Sequence, residues 1–389
     1  MVIDVNIGII CEYNPFHNGH LYHLNKIKEM YPDSNIILVM SGNITQRGDI
    51  SIIDKWDKTS IALKFGIDLV IELPFIYACN SSDKFSRGAI KLLKEVGVDK
   101  IVFGSEINDI ELLKRLANTQ INNKDFDILV KGYLSNGLNY PKACGKALYD
   151  VTNININTPN DILGLGYIKE IMLQKANIEP IVIKRTNDYN SLELDGDIVS
   201  ATSIREAIKN KKSIKKYVPS ETLKYLNDIK YLDDYYNYIK YRIISSDISN
   251  IYEMSEEIKN RINKYINCSN SLDKLINNIK SKNYTYNRIK RIMVYILLNI
   301  TNDDVNNFKD YIRILGFNEN GKNYLKRIKK DINIPIISNY SNGGELLKID
   351  SKIYSILGMI LPYDKQVLYI NKDYKEKIRI FIDNSDDVC

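Results

Sequence analysis

The sequence predicts an α/β fold: a parallel sheet wrapped by helices, continued by a mainly helical, basic C-terminal region. Three observations carry this expectation. Short apolar runs at 7–11, Ile36–Met40, Leu69–Leu73 and Ile101–Phe103 alternate with helical patterns through the first 110 residues. Strands separated by helices of that length imply right-handed βαβ units and so a parallel sheet. From about residue 211 the texture changes to successive helical patterns rich in Tyr, Ile, Asn and Lys, and glycine is not met again until Gly316.

The elements follow in order. The run Ile7–Cys11 (residues Ile7, Gly8, Ile9, Ile10 and Cys11) is short and apolar, as a fully buried strand is. Asn14-Pro15 ends it in a turn. Gly19 stands between Asn18 and His20, and from His20 the apolar residues Leu21, Leu24 and Ile27 recur at helical spacing. Asp54–Phe65 and Asp83–Val96 read as helices closed by Gly66 and Gly97. Residues 109–178 read as mainly helical, with Pro159-Asn160-Asp161 opening a helix that runs to about Lys175. Ile181–Ile183 is a further strand, and Ser200–Ser203 starts a helix containing Arg205. Residues 219–330 read as helices throughout. In the tail a helix is expected near Leu346–Met359 and a strand at Val367–Ile370. The domain division drawn from this is 1–210, nucleotide-binding and catalytic, and 211–389, helical and basic.

A chain of 389 residues with 44% hydrophobic and 26% charged residues is long and apolar enough for a substantial core. No apolar run approaches the roughly 18 residues of a membrane span, and the start lacks the pattern of a signal peptide. The five cysteines are scattered and show neither disulfide-framework nor CxxC spacing, so a reducing cytoplasm is expected. Lysine and arginine number 54 against 48 aspartates and glutamates. Over 211–330 there are 24 basic and 13 acidic residues, a net +11, which leaves −5 for the remainder. That asymmetry fits a region that meets a polyanion, and equally a solvated Lys-rich helical surface. Arg288 and Arg291, and Lys326 with Arg327, are the candidate contacts.

The chemistry concentrates in one stretch, which holds all three histidines of the chain: His17, His20 and His23. His17 and His20 flank an Asn-Gly at a strand-to-helix loop. Helix amino ends collect free N–H groups and the positive end of the dipole, which suits a phosphate. Two histidines three apart, without a Cys partner or a third His at metal spacing, do not favour zinc, and no metal site is expected. A second anion site is suggested by the Ser/Thr-rich helix start at 200–203 with Arg205 one turn in.

His17-Asn18-Gly19-His20 resembles the HxGH signature of the nucleotidyltransferase superfamily, Rossmann-like enzymes of HUP type that attack the α-phosphate of a nucleotide. Further motifs narrow this. Gly8–Leu24 (GIICEYNPFHNGHLYHL), Ser41–Trp56 (SGNITQRGDISIIDKW), Glu72-Leu73-Pro74, Phe103–Glu106 (FGSE), Thr158–Gly164 (TPNDILG), Lys184-Arg185 and Ser200–Arg205 (SATSIR) stand in order. Together they resemble the bacterial tRNA(Met) cytidine acetate ligase family. The resemblance implies activation of acetate by ATP as acetyl-adenylate. Acetyl transfer to the wobble cytidine of elongator tRNA(Met) follows, giving N4-acetylcytidine. It implies that ATP is held by the segment Ile7–His20, including Glu12, Tyr13, Asn14, Pro15 and Phe16, and by Gly104, Asn160 and Arg185. His17, His20 and Arg205 are the catalytic candidates. Gln46, Arg47 and Lys55 are candidates for the acetate or phosphate pocket. Mg2+ is expected with ATP, without a dedicated cage; no membrane is involved and no protein partner is inferable. The alternative within the superfamily is adenylyl or cytidylyl transfer to a small metabolite. A non-catalytic nucleotide- or RNA-binding protein would not require the histidine pair. Two departures stand out: Ile44 replaces an aromatic residue, and Thr186–Ser191 lacks the Gly and His usual after the Lys-Arg pair.

Overall fold

A computed structural model of the chain describes residues 5–185 and 198–382; the departure at 186–191 lies outside them. Among the described residues eight strands form one sheet: β1 (Asn6–Cys11), β2 (Asn35–Ser41), β3 (Leu69–Leu73), β4 (Lys100–Ser105), β5 (Glu179–Lys184), β6 (Ile312–Phe317), β7 (Ile336–Ile337) and β8 (Arg379–Ile380). Their order is β5-β4-β1-β2-β3-β6-β7, with β8 also on β6. The first five strands are parallel, in registers such as Ile7 opposite Ile36 and Ile37 opposite Leu69. Every residue of β2 and β3 is buried, which is why these strands read as unbroken apolar runs rather than alternating ones.

The chain leaves β1 towards β2 and β3, then returns to place β4 on the other side of β1. The direction of winding therefore reverses between β1 and β4, and in open α/β sheets ligands bind beyond the carboxyl ends of strands at such a point. The helices between the strands end as their sequences require. Asp54 caps Lys55–Lys64 by accepting from the Trp56 amide, and Gly66 and Gly97 take positive φ (90° and 71°) just past two helix ends.

The change of texture at residue 210 does not divide the sheet. β6 comes from within the region expected to be all helix and pairs antiparallel with β3. Its neighbours β7 and β8 are also C-terminal. The expected strand at Val367–Ile370 is instead the end of a helix, Tyr363–Ile370, with Pro362 at its N-cap. Lys348–Gly358 is helical, close to the expected span. The helices Tyr236–Ser245, Glu256–Tyr265, Leu272–Ile279 and Tyr286–Leu298 share one apolar core. Ile44, Phe75 and Cys79 from the first half join it, so the helical region is packed onto the sheet rather than tethered to it. Ile44 is buried there, in an isolated bridge with Ile50. Among the described residues no helix is long and apolar enough to cross a membrane.

Candidate active site

A cleft of about 560 Å³ opens over the carboxyl ends of the parallel strands at the reversal point. Its floor is the loop after β1. His17 is the N-cap of the helix Asn18–Met30, and its Nδ1 accepts the Gly19 amide N–H at 3.0 Å. The Nδ1 of His20 accepts the His17 amide N–H at 3.3 Å, completing a reciprocal capping box made of two imidazoles. A ring nitrogen that accepts carries no proton, so these bonds assign the proton of each neutral ring to Nε2. Burial lowers the pKa of His17 to about 3, helped by the charges of Arg185 and Arg205. Burial also holds His20 well below the usual imidazole range, with His17, Arg185 and His23 adding to it. At neutral pH the pair is therefore two uncharged N–H donors with fixed tautomers, their rings 3.8 Å apart. Gly19 makes this possible: a Cβ there would lie 2.8 Å from His17 Cε1, inside the ring's place.

Around the pair, the strand ends are pinned by backbone contacts. Lys58 Nζ donates to the carbonyl oxygens of Glu12, Ser41 and Gly42 at 2.8–2.9 Å, tying the ends of β1 and β2 together. Burial lowers its pKa to about 8. Glu12 accepts the Gln46 amide N–H at 2.6 Å, and burial raises its carboxyl above the usual range. Arg205 donates to the Asn14 carbonyl at 2.8 Å and to Thr202 at 3.3 Å, with Asp49 at 4.0 Å. Burial pushes Asp49 up, but Lys290 and Arg205 outweigh it and keep the carboxyl ionised.

On the β4 side, Gly104, Asn160 and Arg185 come together. The Asn160 amide donates to Glu106 at 2.6 Å, and Arg185 pairs with Glu106 at 3.4 Å. A Cβ on Gly104 would meet the Arg185 side chain at 3.1 Å. Asp161 is fully buried behind them, accepting from the Ser105 hydroxyl and the Glu106 amide, and so shapes the loop after β4. Among the described residues six helices begin at the cleft, starting at Asn18, Ser82, Tyr140, Pro159, Ala201 and Tyr286; each gives it a capping or first-turn residue. Their free amide N–H groups and dipoles make the cleft a site for an extended polyanion.

Not every candidate reaches it. Ile7, Gly8 and Ile9 belong to the strand interior, and a Cβ on Gly8 would press on the Leu93 side chain at 2.8 Å. Phe16 stacks on Phe65 beneath the loop, Pro15 is not on the wall, and Asn18 turns its amide to the Lys216 carbonyl. Ile10, Cys11, Glu12, Tyr13, Asn14, Gln46 and Arg47 do line the cleft. Burial, then Glu12, pushes the Cys11 thiol up to about 12, so it is no nucleophile. Lys55 needs correcting. It is 1% exposed and off the cleft wall, its ammonium held by Glu72 at 2.8 Å and Asp373 at 3.0 Å, so it cannot meet acetate or phosphate.

The four basic candidates of the helical region do not share a surface. Arg291 lines the cleft, and Arg288 sits beside it on the same helix; both face Glu253. Lys290, between them in sequence, pairs with Asp49, so of the three cations on this helix only Lys290 has a carboxylate at close range. Lys326 and Arg327 are exposed on the helix Glu319–Ile328. That helix begins at Asn318, bonded to Asp68 just before β3, and its Tyr324 bonds the Val96 carbonyl before β4. It therefore covers the amino ends of the parallel strands, away from the cleft. Sequence reading missed Lys58, Asp49, Glu106 and Asp161 as site residues. Lys58 left a signal, a lysine at a core position among Thr59, Ile61 and Ala62.

The chain matches the family model described as HIGH Nucleotidyl Transferase over residues 5–369. It is similar to the tRNA(Met) cytidine acetate ligase of Caldanaerobacter subterraneus, 42% identical over 85% of this chain and 88% of that one. It is similar also to that of Clostridium novyi, 38% identical over 92% and 96%. Among solved structures it resembles Thermotoga maritima TmcAL in its apo form, with a TM-score of 0.90, 28% identity and coverage of 97% and 100%. The same protein bound with alpha-thio ATP superposes with a TM-score of 0.87.

Proposed function

The chain belongs to the tRNA(Met) cytidine acetate ligase family of HIGH nucleotidyl transferases, and we propose that it acetylates the wobble cytidine of elongator tRNA(Met) at the expense of ATP. The observation that carries the chemistry is the tautomer-fixed pair His17 and His20 at the head of a helix in the strand-end cleft. An acetate oxygen attacks the α-phosphorus, and the bond to the bridging oxygen of pyrophosphate breaks. Negative charge grows on the phosphoryl oxygens and the leaving group. The two Nε2–H groups stabilise it without reorganising, and loss of one such donor typically costs on the order of 10²–10³ in rate. Neutral rings suit this task, because they remain donors across physiological pH.

The loop Ile10–His20, Gly104, Asn160 and Arg185 hold the nucleotide, and Arg205 with the helix start at 200–203 takes the β- and γ-phosphates. Gln46 and Arg47 are the side chains offered to acetate. In the second half-reaction the N4 amine of cytidine attacks the acetyl carbonyl, loses a proton, and expels AMP. Mg2+ enters with ATP, carried on its phosphate oxygens. A protein that needs ATP and tRNA together works in the cytoplasm.

ATP–pyrophosphate exchange tests the reading. Exchange should depend on acetate and fall steeply with butyrate, and acetylated cytidine should appear when tRNA(Met) is added. Equal turnover with butyrate, or label in a small metabolite but none in tRNA, would point to a plain nucleotidyltransferase.

A further inference from the structure

Arg291 is 7% exposed, yet its side chain lines the cleft and its Nε has no hydrogen-bond partner among the described residues. Among the described residues its one ion-pair partner is Glu253, at 3.8 Å, and that carboxylate stands also 3.4 Å from Arg288. Neither approach forms a hydrogen bond, and Glu253 Oε2 is itself without one. One carboxylate between two guanidiniums leaves a net positive charge, and a guanidinium desolvated this far normally satisfies its donors. Arg291 also lies in the second turn of a 13-residue helix whose amino end, Thr285 and Asn287, opens on the same cleft. Opposite it, Ser81 and Ser82 begin the 14-residue helix Ser82–Glu95.

The place of this group along the sheet gives its ligand. Of the residues assigned to the nucleotide, Arg185 follows β5 and Gly104 lies at the carboxyl end of β4; the histidines follow β1, and the Gln46–Asp49 loop follows β2. Arg291 packs on that last loop, against Gly48, so it stands on the far side of the histidines from the nucleotide end. A base entering from that side to reach the acetyl group brings its own phosphodiester to Arg291. We propose that Arg291, with the amino ends of the helices at 286 and 82, is a phosphodiester subsite that grips the RNA backbone next to the acceptor cytidine. The proposal rests on the reading that RNA is the acetyl acceptor.

The test uses the full-length protein and an anticodon stem-loop RNA carrying a neutral methylphosphonate at one of the two phosphates flanking the acceptor cytidine. With wild type, one substitution should raise the KM for RNA roughly ten- to hundredfold, the worth of a charge-assisted hydrogen bond. Arg291→Gln should show a similar rise with unmodified RNA, and no further rise with the methylphosphonate. It should flatten the salt dependence of RNA binding by about 0.7 in log–log slope. Its loss in ATP–pyrophosphate exchange should be at least tenfold smaller than its loss in KM for RNA. Glu253→Gln, which removes the neutralising carboxylate, should do the opposite and tighten RNA binding, and it keeps the test alive where Arg291→Gln fails to fold. Equal loss of exchange and transfer in a folded Arg291→Gln would assign the group to ATP phosphates and overturn the proposal. Undiminished sensitivity of Arg291→Gln to the methylphosphonate, or weaker binding by Glu253→Gln, would also overturn it. Wild type that supports acetate-dependent exchange but acetylates no RNA would instead remove the reading beneath it.

Discussion

Lys55 and Lys58 leave the same helix one turn apart and reach two buried regions that manage charge in opposite ways. Lys55 enters a closed cluster. Glu72 and Asp373 hold it at 2.8 and 3.0 Å, and Arg313 meets the same two carboxylates at 3.4 and 2.9 Å. Asp350 is occupied by the Tyr311 hydroxyl. Cations and anions there satisfy one another. Lys58 lies beneath the cleft and meets only backbone carbonyls; on the wall itself, Arg205 leans on a carbonyl and Arg291 on a shared, distant carboxylate. A closed cluster is architecture. A set of cations resting on dipoles, facing six helix amino ends, is incomplete until a polyanion arrives. Charge count does not separate the two, since both regions are rich in Lys and Arg; the pairing does.

The comparison can be broken most forcefully on the closed side. Arg313→Met leaves Asp373 and Glu72 short of a partner in a buried place, and should cost about 3–5 kcal/mol in urea unfolding. A loss under about 1 kcal/mol would mean the cluster is not closed in the sense described. On the open side, His17→Asn keeps an N-cap oxygen but removes the Nε2 donor. Exchange should fall on the order of 10²–10³, about 2.7–4 kcal/mol in the barrier, while unfolding free energy changes by no more than about 1 kcal/mol. Parallel loss of both would make His17 a structural cap only.

Acidification sharpens the contrast at an intermediate size. The folded His17 refuses a proton until about pH 3, whereas the unfolded chain accepts one near 6.5. The unfolded state thus binds more protons in that window, and stability falls as pH drops through it, by about 2 kcal/mol at pH 5 from this ring alone. In His17→Asn that share of the pH slope should vanish when unfolding is measured between pH 7 and 5. The smallest effect is expected from Gly104→Ala. The added Cβ presses on the aliphatic part of Arg185, which can give by a few tenths of an ångström. Because the nucleotide is proposed to lie against this backbone, the KM for ATP should rise by up to about tenfold, roughly 1 kcal/mol; an unchanged KM would remove Gly104 from the nucleotide site.

What was legible in the sequence was what neighbours in sequence decide. The strands β2 and β3 announce themselves because a strand buried on both faces is a bare apolar run, β1, β4 and β5 because each carries a shorter apolar run, and the histidine loop because cap, glycine and second histidine sit within four residues. β6 was hidden by Arg313, its second residue, a charge whose partner lies at residue 373. Val367–Ile370 looked like a strand because four apolar residues carry no period; the helix is set by Pro362 and its packing on Lys348–Gly358. Lys55 looked available because its partners lie at 72 and 373. The basic helix at 286–298 looked open because Asp49, which takes up Lys290, comes from the other half of the chain.

The antiparallel seat of β6 against β3 has a consequence for how the protein is made. The ribosome delivers β3 long before β6, so for more than two hundred residues of synthesis the nascent sheet ends in an apolar strand with nothing beside it, a template for pairing with other chains. Its Glu72 and the neighbouring Lys55 wait longer still, for Asp373 near the end of translation. The first 210 residues hold the histidine loop but not the strand that shields this edge. Expressed alone, they should gather into aggregates rather than yield a small adenylating enzyme.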